Sequence, residues 1–564
     1  MNKKIKILRS KFKNYEIDGY IIPKNDDYFT EYSKINRLKT ISNFSGSAGL
    51  AIILKDKNYL FTDGRYSIQS QIESGKDFKI IDSQKLINCN LFKNKTLGID
   101  PKLFTYKQII NFFQKNNKIK FINKNLIDEI TNKKIINNIP FISLNKNIVG
   151  ESHKSKINKI CQYLKKNNCD YLFVSSPENV AWILNIRGSD VPNSPIPNSR
   201  LIISKTKKII FFCEIQKVRK IIKKKIIRPN EIVNINEFQK KIFRLKGNNF
   251  IIDDKSCSIY FENIIKLNFK IKKREDPTYL LKAIKNKAEI NNMINTHILD
   301  GAALTKFIYW IKFVNKKKIN EFQAQNKLES FRKLNKTYLY PSFDTIAGAG
   351  KNGAIVHYKA KKVSCKTINK KDIFLCDSGG QYKYGTTDVT RTICFSQPKN
   401  NIKNIFTKVL KGHIAVATTN LNKDNIGKKI DIRARKFLKQ SNLNYAHGTG
   451  HGVGFFLNVH EGPQSISKYN KIKIKKGMIL SNEPGYYKKN KFGIRIENLV
   501  YVKKIKKNII FENLTLAPIE KDLINEKLLT SYEKDYLFKY HLEVYSKISK
   551  YLNLEERKWL ASFI

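Results

Sequence analysis

The sequence predicts an α/β chain built from several domains, and three observations predict it. At 564 residues the chain is too long for a single core and should divide into about three or four domains. Its first half passes twice through the same alternation of strand-like and helical runs. After Asp276-Pro277 the texture changes to a long helical pattern, then to a glycine-richer stretch of short strands. Hydrophobic residues at 41% and aromatics at 11% supply packed interiors and exclude disorder of the whole chain.

Residues 1–145 carry the strand-like runs Tyr20-Ile21-Ile22 and Ala51-Ile52-Ile53-Leu54 between polar helical stretches, the pattern of an α/β domain. Residues 146–283 repeat it, with a helix expected over Ile157–Leu164 and strands at Tyr171–Val174, Leu201–Ile203 and Ile209–Phe212. Residues 284–517 open on a helix whose apolar face is Ile290, Ile294 and Ile298, then Leu304, Ile308 and Ile311. Residues 518–564 hold a capping box, Thr530 to Glu533, before a helix with Leu537, Tyr540, Val544 and Ile548 on one face. That last helix is expected to pack.

The formal net charge is +60. Such a balance can mark nucleic acid or an anionic membrane surface as partner. Here the lysines are scattered in short runs such as Lys223–Lys225 and Lys316–Lys318, as on solvated faces. No long basic stripe is interleaved with stacking aromatics. The charge therefore reads as compositional drift, with neither specific nucleic acid nor membrane as partner. The basic start, Met1 to Arg9, has no apolar core of a secretory signal behind it, and no apolar run approaches the ~18 residues of a membrane span. Eight dispersed cysteines without a C-x-x-C pair suit a reducing cytosol, so a cytoplasmic location is expected.

The chemistry concentrates late in the chain. In Phe374-Leu-Cys-Asp377 an apolar run ends in an acid, a glycine-containing turn follows, and a Thr/Val-rich strand opens at Asp388. This pattern predicts an antiparallel hairpin that brings two carboxylates together, where they raise one another's pKa unless a cation lies between them. His447, His451 and His460 fall within fourteen positions. The first two have the spacing of the helical zinc motif H-E-x-x-H, but Gly448 replaces its glutamate and four glycines across 448–454 oppose a helix. Glu483 ends an apolar run before Pro484-Gly485, and in Phe492–Val500 Ile494 and Ile496 face one way while Arg495 and Glu497 face the other. His297, His413 and His541 read as structural. Four carboxylates and one imidazole, with no thiolate, suit Mn²⁺, Co²⁺ or Zn²⁺ in a dinuclear site. Gly348-x-Gly350-x-x-Gly353 fits a dinucleotide fingerprint, but the strand-like Ala354–Tyr358 follows it, so it is expected to be a flexible loop.

Asp377, Asp388, His451, Glu483 and Glu497 match, in order, the five metal ligands of the methionine aminopeptidase, prolidase and aminopeptidase P family, the pita-bread peptidases. His447–Pro463 and Ile494–Asn498 resemble its long, three-domain aminopeptidase P form. So do Phe44–Gly49, Thr62–Tyr66, Ala181–Asp190 and the tail after 517, so the resemblance covers the whole chain. It implies two creatinase/prolidase N-terminal-like α/β domains, a pita-bread catalytic domain and a helical C-terminal extension. It implies two divalent ions, Mn²⁺ before Co²⁺ or Zn²⁺, with Asp388 and Glu497 bridging, Asp377 on one ion, and His451 and Glu483 on the other. Glu483 is the implied proton shuttle, His357, His447 and His460 the implied substrate-side histidines, and Arg495 the implied partner of a carboxylate. A homodimer is also implied.

The expected activity is removal of the N-terminal residue from peptides with proline second. The alternatives are a prolidase that cuts Xaa-Pro dipeptides and a non-catalytic member that binds protein or nucleic acid. The extra N-terminal domains disfavour the first, and five intact ligands disfavour the second.

Overall fold

The structure is a computed structural model and describes residues 3–87, 89–131, 137–315 and 317–564. It divides into two compact units, Met1–Lys146 with Glu151–Tyr279, and Leu280–Ile564 with Asn147–Gly150.

The first unit contains two six-stranded sheets. The earlier one is built from β1 (Gly19–Pro23), β2 (Leu50–Leu54), β3 (Asn58–Thr62), β4 (Lys79–Asp82), β5 (Thr96–Ile99) and β6 (Lys118–Phe121). The later one is built from β7 (Tyr171–Val174), β8 (Arg200–Ser204), β9 (Ile209–Cys213), β10 (Ile232–Asn234), β11 (Asn249–Ile252) and β12 (Lys270–Lys273). Their orders are β4-β3-β2-β1-β5-β6 and β10-β9-β8-β7-β11-β12. The strand senses also agree: β1/β2 and β7/β8 are antiparallel, while β1/β5 and β7/β11 are parallel. The expected tandem units are therefore two copies of one topology, although their residues differ.

The first sheet is covered on both faces, which is why its central strands read as unbroken apolar runs. Tyr20 and Ile22 join one core with Ala51 and Ile53, while Ile21 joins the other with Ile52 and Leu54. Three of the four edge strands in the two sheets, β4, β6 and β12, carry lysines at exposed positions (Lys79, Lys118, Lys270, Lys273). Charged edges oppose pairing with other chains. Part of the positive charge thus has a structural use.

The second unit repeats a helix pair followed by strands. Helices Lys287–Tyr309 and Glu321–Lys333 precede the sheet of Ile346–Ala349, Phe374–Ser378 and Val389–Ile393. Helices Asn400–Ala417 and Gly427–Lys439 precede the five-stranded sheet of Gly450–Gly452, Glu461–Ile466, Ile479–Asn482, Asn498–Ile505 and Asn508–Asn513.

Two expectations need correction here. Helix Lys287–Tyr309 buries Met293, His297, Asp300 and Phe307 and, as expected, Leu304 and Ile308, with Ile311 buried just beyond it, while Ile290, Ile294 and Ile298 are only partly covered. The cause is Asp300, which accepts from Arg332 Nε at 2.7 Å and from the Tyr382 hydroxyl at 2.6 Å. A satisfied ion pair thus takes a core position on a face that apolar periodicity did not select. The segment 350–358 is not a flexible loop leading into a strand: Gly350–Ala354 is a 3₁₀ turn followed by a second turn. Glu321 fixes it, accepting from the amides of Ala349 (2.7 Å) and Lys366 (2.8 Å) and from the Tyr358 hydroxyl (2.7 Å). The turn also lies under strand Phe492–Arg495, where a Cβ on Gly493 would stand 1.7 Å from the Gly353 carbonyl oxygen.

At the C-terminus the capping box forms as expected. Thr530 accepts from the Glu533 amide, Glu533 accepts from the Thr530 amide, and the helix Ser531–Ile548 buries Leu537, Tyr540, Val544 and Ile548.

Candidate metal centre

Strand register explains how distant carboxylates meet. Phe374–Ser378 and Val389–Ile393 pair antiparallel with Asp377 opposite Thr390, so Asp388 stands at the mouth of the same ladder. The connection is longer than a simple turn: Gly380–Tyr382 and Gly385–Thr386 form a small hairpin of their own, joined to Tyr338–Pro341. Ile479–Asn482 and Asn498–Ile505 pair with Asn482 opposite Asn498. The residues just beyond that pair, Glu483 and Glu497, are therefore neighbours across the ladder. His451 lies in strand Gly450–Gly452, not on a helix, and a Cβ on Gly450 would meet the Ser481 carbonyl oxygen at 1.9 Å. The glycines let this strand press against its neighbour.

Ligand atoms of Asp388, His451 and Glu497 lie within 4.8 Å of one another. His451 Nε2 is 3.5 Å from Asp388 Oδ2 and 3.5 Å from Glu483 Oε1. Its Nδ1 donates to the Gly452 carbonyl at 2.9 Å, which fixes the ring and aims Nε2 at the carboxylates. Glu497 Oε2 accepts from the Thr390 hydroxyl at 2.8 Å. Arg495 Nη2 donates to Asp377 Oδ2, and Asp377 Oδ1 is buried with no hydrogen-bond partner among the described residues.

The electrostatics call for a cation. Burial pushes the Asp377 carboxyl up to about 7 against the pull of Arg495, with Asp388 and Glu483 adding to the rise. Burial, then Asp388, Glu483 and Asp377, hold Glu497 well above the usual carboxylate range. Burial disfavours the charged form of His451, yet Asp388 and Glu483 outweigh it and hold the ring at about 9. A proton thus sits where positive charge is favoured. The orphaned Asp377 oxygen, the oxygen-rich donor set and this repulsion fit divalent ions.

Two of the remaining expected residues, His447 and His460, adjoin this cluster. His447 Nδ1 lies 3.9 Å from Glu483 Oε2 and donates to the Gly448 carbonyl at 2.7 Å. The His460 ring stacks edge-on against His451. His357 lies half-buried in the turn after Gly350–Ala354, next to the Tyr358 that Glu321 holds.

Sequence reasoning missed Tyr487. Its hydroxyl accepts from Arg495 Nη1 at 2.6 Å and contacts His447 Nε2 at 2.9 Å, linking Asp377, Arg495 and His447 in one chain of hydrogen bonds. The signal was available in strand alternation. Gly485 pairs with Arg495 and Tyr487 with Gly493, so Tyr487 shares the face of Arg495 and glycine clears the space opposite. A second acidic cluster, Cys394, Glu520 and Asp522, already holds a cation of its own, the Lys312 ammonium, 2.6 Å from Glu520.

Metallopeptidase family M24 matches residues 291–504, and the C-terminal region of peptidase M24 matches 508–562. The Creatinase/Prolidase N-terminal domain matches twice, at 4–130 and 131–289. The chain is 36% identical over 591 aligned positions to a probable Xaa-Pro aminopeptidase P of Laccaria bicolor, covering 98% of this chain and 91% of that one. The chain belongs to the Xaa-Pro aminopeptidase family.

Xaa-Pro aminopeptidase 1 of Dictyostelium discoideum is 35% identical and covers 100% of this chain and 96% of its own. Among solved structures, X-prolyl aminopeptidase from Caenorhabditis elegans, described as a cytosolic enzyme with a di-nuclear active site, superposes with a TM-score of 0.92. It is 29% identical, and the match covers 100% of this chain and 99% of that one. Prolidase from Pyrococcus furiosus, 26% identical with a TM-score of 0.50, covers only 63% of this chain although 98% of its own. The fold is thus that of a three-domain Xaa-Pro aminopeptidase: two creatinase N-terminal domains, the M24 catalytic domain and its C-terminal region. This family member is an enzyme of the metallopeptidase class. No helix among the described residues is long and apolar enough to cross a membrane.

Proposed function

We propose that the chain removes the N-terminal residue from peptides whose second residue is proline, using a pair of divalent ions. The observation that carries this reading is the buried, unpartnered Asp377 Oδ1 beside the Asp388–His451–Glu497 cluster. Asp377, Asp388, His451, Glu483 and Glu497 would hold the ions, with Asp388 and Glu497 serving both, Asp377 one, and His451 with Glu483 the other. Mn²⁺ is the leading ion, with Co²⁺ or Zn²⁺ as alternatives. Such ions supply an acidified water and neutralise oxyanion charge.

The chain's own groups do the rest. Arg495 holds one oxygen of Asp377 and leaves the other free to bind. Glu483, half-buried and within 3.9 Å of His447, is placed to take a proton and return it to the departing amine. In its neutral form His447 donates through Nδ1 to Gly448, so Nε2 accepts from Tyr487, which fixes the ring's orientation. His460 and His357 are the substrate-side donors to the scissile carbonyl or the proline end, and His447 lines the same side with both ring nitrogens already engaged.

The proposed division of the chain is 1–145, 146–283, 284–517 and 518–564. The proposed working form is a cytosolic homodimer, without specific nucleic-acid or membrane partners. Adding Mn²⁺ to metal-stripped protein should switch on hydrolysis of an Arg-Pro-Pro-type peptide; an inactive, metal-replete chain would overturn the reading. A prolidase would instead prefer a Xaa-Pro dipeptide to the corresponding tripeptide, and the same assay compares the two.

A further inference from the structure

Arg391 is almost fully buried, at 1% exposure, and its guanidinium makes six hydrogen bonds, all to neutral oxygens. Burying this charge is costly unless every donor finds a partner in fixed geometry. Here the partners fall into two groups. Nη1 spans the carbonyls of Thr390 (2.9 Å) and Glu497 (2.6 Å), and Nη2 reaches the side chain of Asn498 (2.8 Å). Nε and Nη2 also take the carbonyls of Pro518 (2.9 Å) and Ala517 (2.8 Å) and the Tyr540 hydroxyl (2.9 Å). Tyr540 is itself anchored, donating to Ala517 at 2.8 Å.

The first group is the back of the candidate metal centre. Thr390 lies two residues beyond Asp388, its carbonyl accepts the Glu497 amide at 3.1 Å, and its hydroxyl donates to Glu497 Oε2. The second group belongs to the C-terminal extension and the segment leading into it. We propose that Arg391 is a positioning residue through which the extension holds Glu497 in place for the ions. The extension is then a working part of the centre as well as a packing element. This rests on the proposed function above, because it takes Glu497 as a bridging ligand.

The planar fork is what spans three oxygens on one side and three on the other, and a lysine ammonium cannot reproduce it. Loss of an outer-shell partner typically weakens metal binding by about 10–100-fold. Full-length parent, Arg391→Lys, Tyr540→Phe and Glu497→Ala proteins, stripped of metal, are titrated with Mn²⁺ by calorimetry, with circular dichroism recorded for each. The expected result is about tenfold or more weaker Mn²⁺ binding in Arg391→Lys and a smaller loss in Tyr540→Phe. Both should keep the parent spectrum, and activity should recover as Mn²⁺ is raised. A merely structural role would lower the melting temperature without changing Mn²⁺ affinity in the folded protein.

Parent-like Mn²⁺ affinity in folded Arg391→Lys overturns the clamp and leaves the centre standing. If Arg391→Lys does not fold, Tyr540→Phe decides alone, and parent-like affinity there overturns the clamp. A parent that binds no Mn²⁺, or a Glu497→Ala protein that still takes up two ions, overturns the reading of the centre and the clamp with it.

Discussion

The imidazole of His460 stands edge-on to that of His451, with ring centroids 4.4 Å apart and planes at 86°. One ring therefore buttresses another that is aimed at the carboxylates. His460→Ala should keep metal content near that of the parent and lower kcat by roughly 10²-fold or more, the scale of one lost transition-state donor. Elemental analysis beside steady-state kinetics decides it. Metal loss in step with activity would make His460 a ligand.

In the proposed centre Glu497 and Asp388 would each serve both ions. Glu497→Ala and Asp388→Ala should each lose metal and activity together, with activity at background. Either variant retaining two ions per chain would show the bridge to be misassigned.

Tyr487→Phe removes the oxygen that accepts from Arg495 and leaves Nη1 without that acceptor in a buried setting. The expected destabilisation is about 1–3 kcal/mol, measured by denaturant unfolding. His447 loses its orienting partner at the same time, so kcat/KM should fall while Mn²⁺ content stays level. An unchanged kcat/KM would remove Tyr487 from the working set.

Burial, then Arg391 and Lys521, pushes the His541 imidazole down to about 3, and burial, then Arg391, does the same to His413. In the unfolded chain both take up protons near the ordinary value of about 6.5. Between those values the unfolded state binds more protons, so this contribution to stability is present above pH 6.5 and is lost as pH falls toward 3. Asp377 and Glu497, raised in the metal-free protein, act in the opposite sense. The informative comparison is therefore parent against His541→Gln, by denaturant unfolding at pH 7.5 and 5. The parent should lose more stability on acidification than the variant, and equal losses would refute the assignment.

The +60 charge should give only weak, salt-sensitive association with nucleic acid, falling steeply as salt rises. A titration near 150 mM salt beside a peptidase assay tests this. Tight binding there without peptide hydrolysis in Mn²⁺ would promote the binding-protein alternative.

The regular elements were the most legible part of the chain. Tyr171–Val174 was readable to the residue because a strand buried on both faces is a continuous apolar run bounded by turns. The candidate ligands were readable because each acid ends or interrupts an apolar strand, where a carboxylate needs a partner. What escaped was set by partners distant in sequence. Asp300 takes a buried position while Ile290, Ile294 and Ile298 stay partly covered, because Arg332 and Tyr382 meet it there, and periodicity carries no information about them. Glu321 ties the apparent strand at 354–358 into a turn, accepting from the Tyr358 hydroxyl and from amides 28 and 45 positions away. Arg391 looked like one more basic residue in a basic chain; only the fold discloses that its charge is enclosed.

The pairing of Asp377 with Arg495 joins residues 118 positions apart. Closing so long a stretch costs chain entropy that only wide, cooperative contacts repay. The carboxylates come from both helix-pair-and-strand halves of the unit, so neither half alone carries a usable fragment of the centre. A proteolytic nick or a truncation anywhere between the two should thus abolish the chemistry outright rather than leave a weakened remnant.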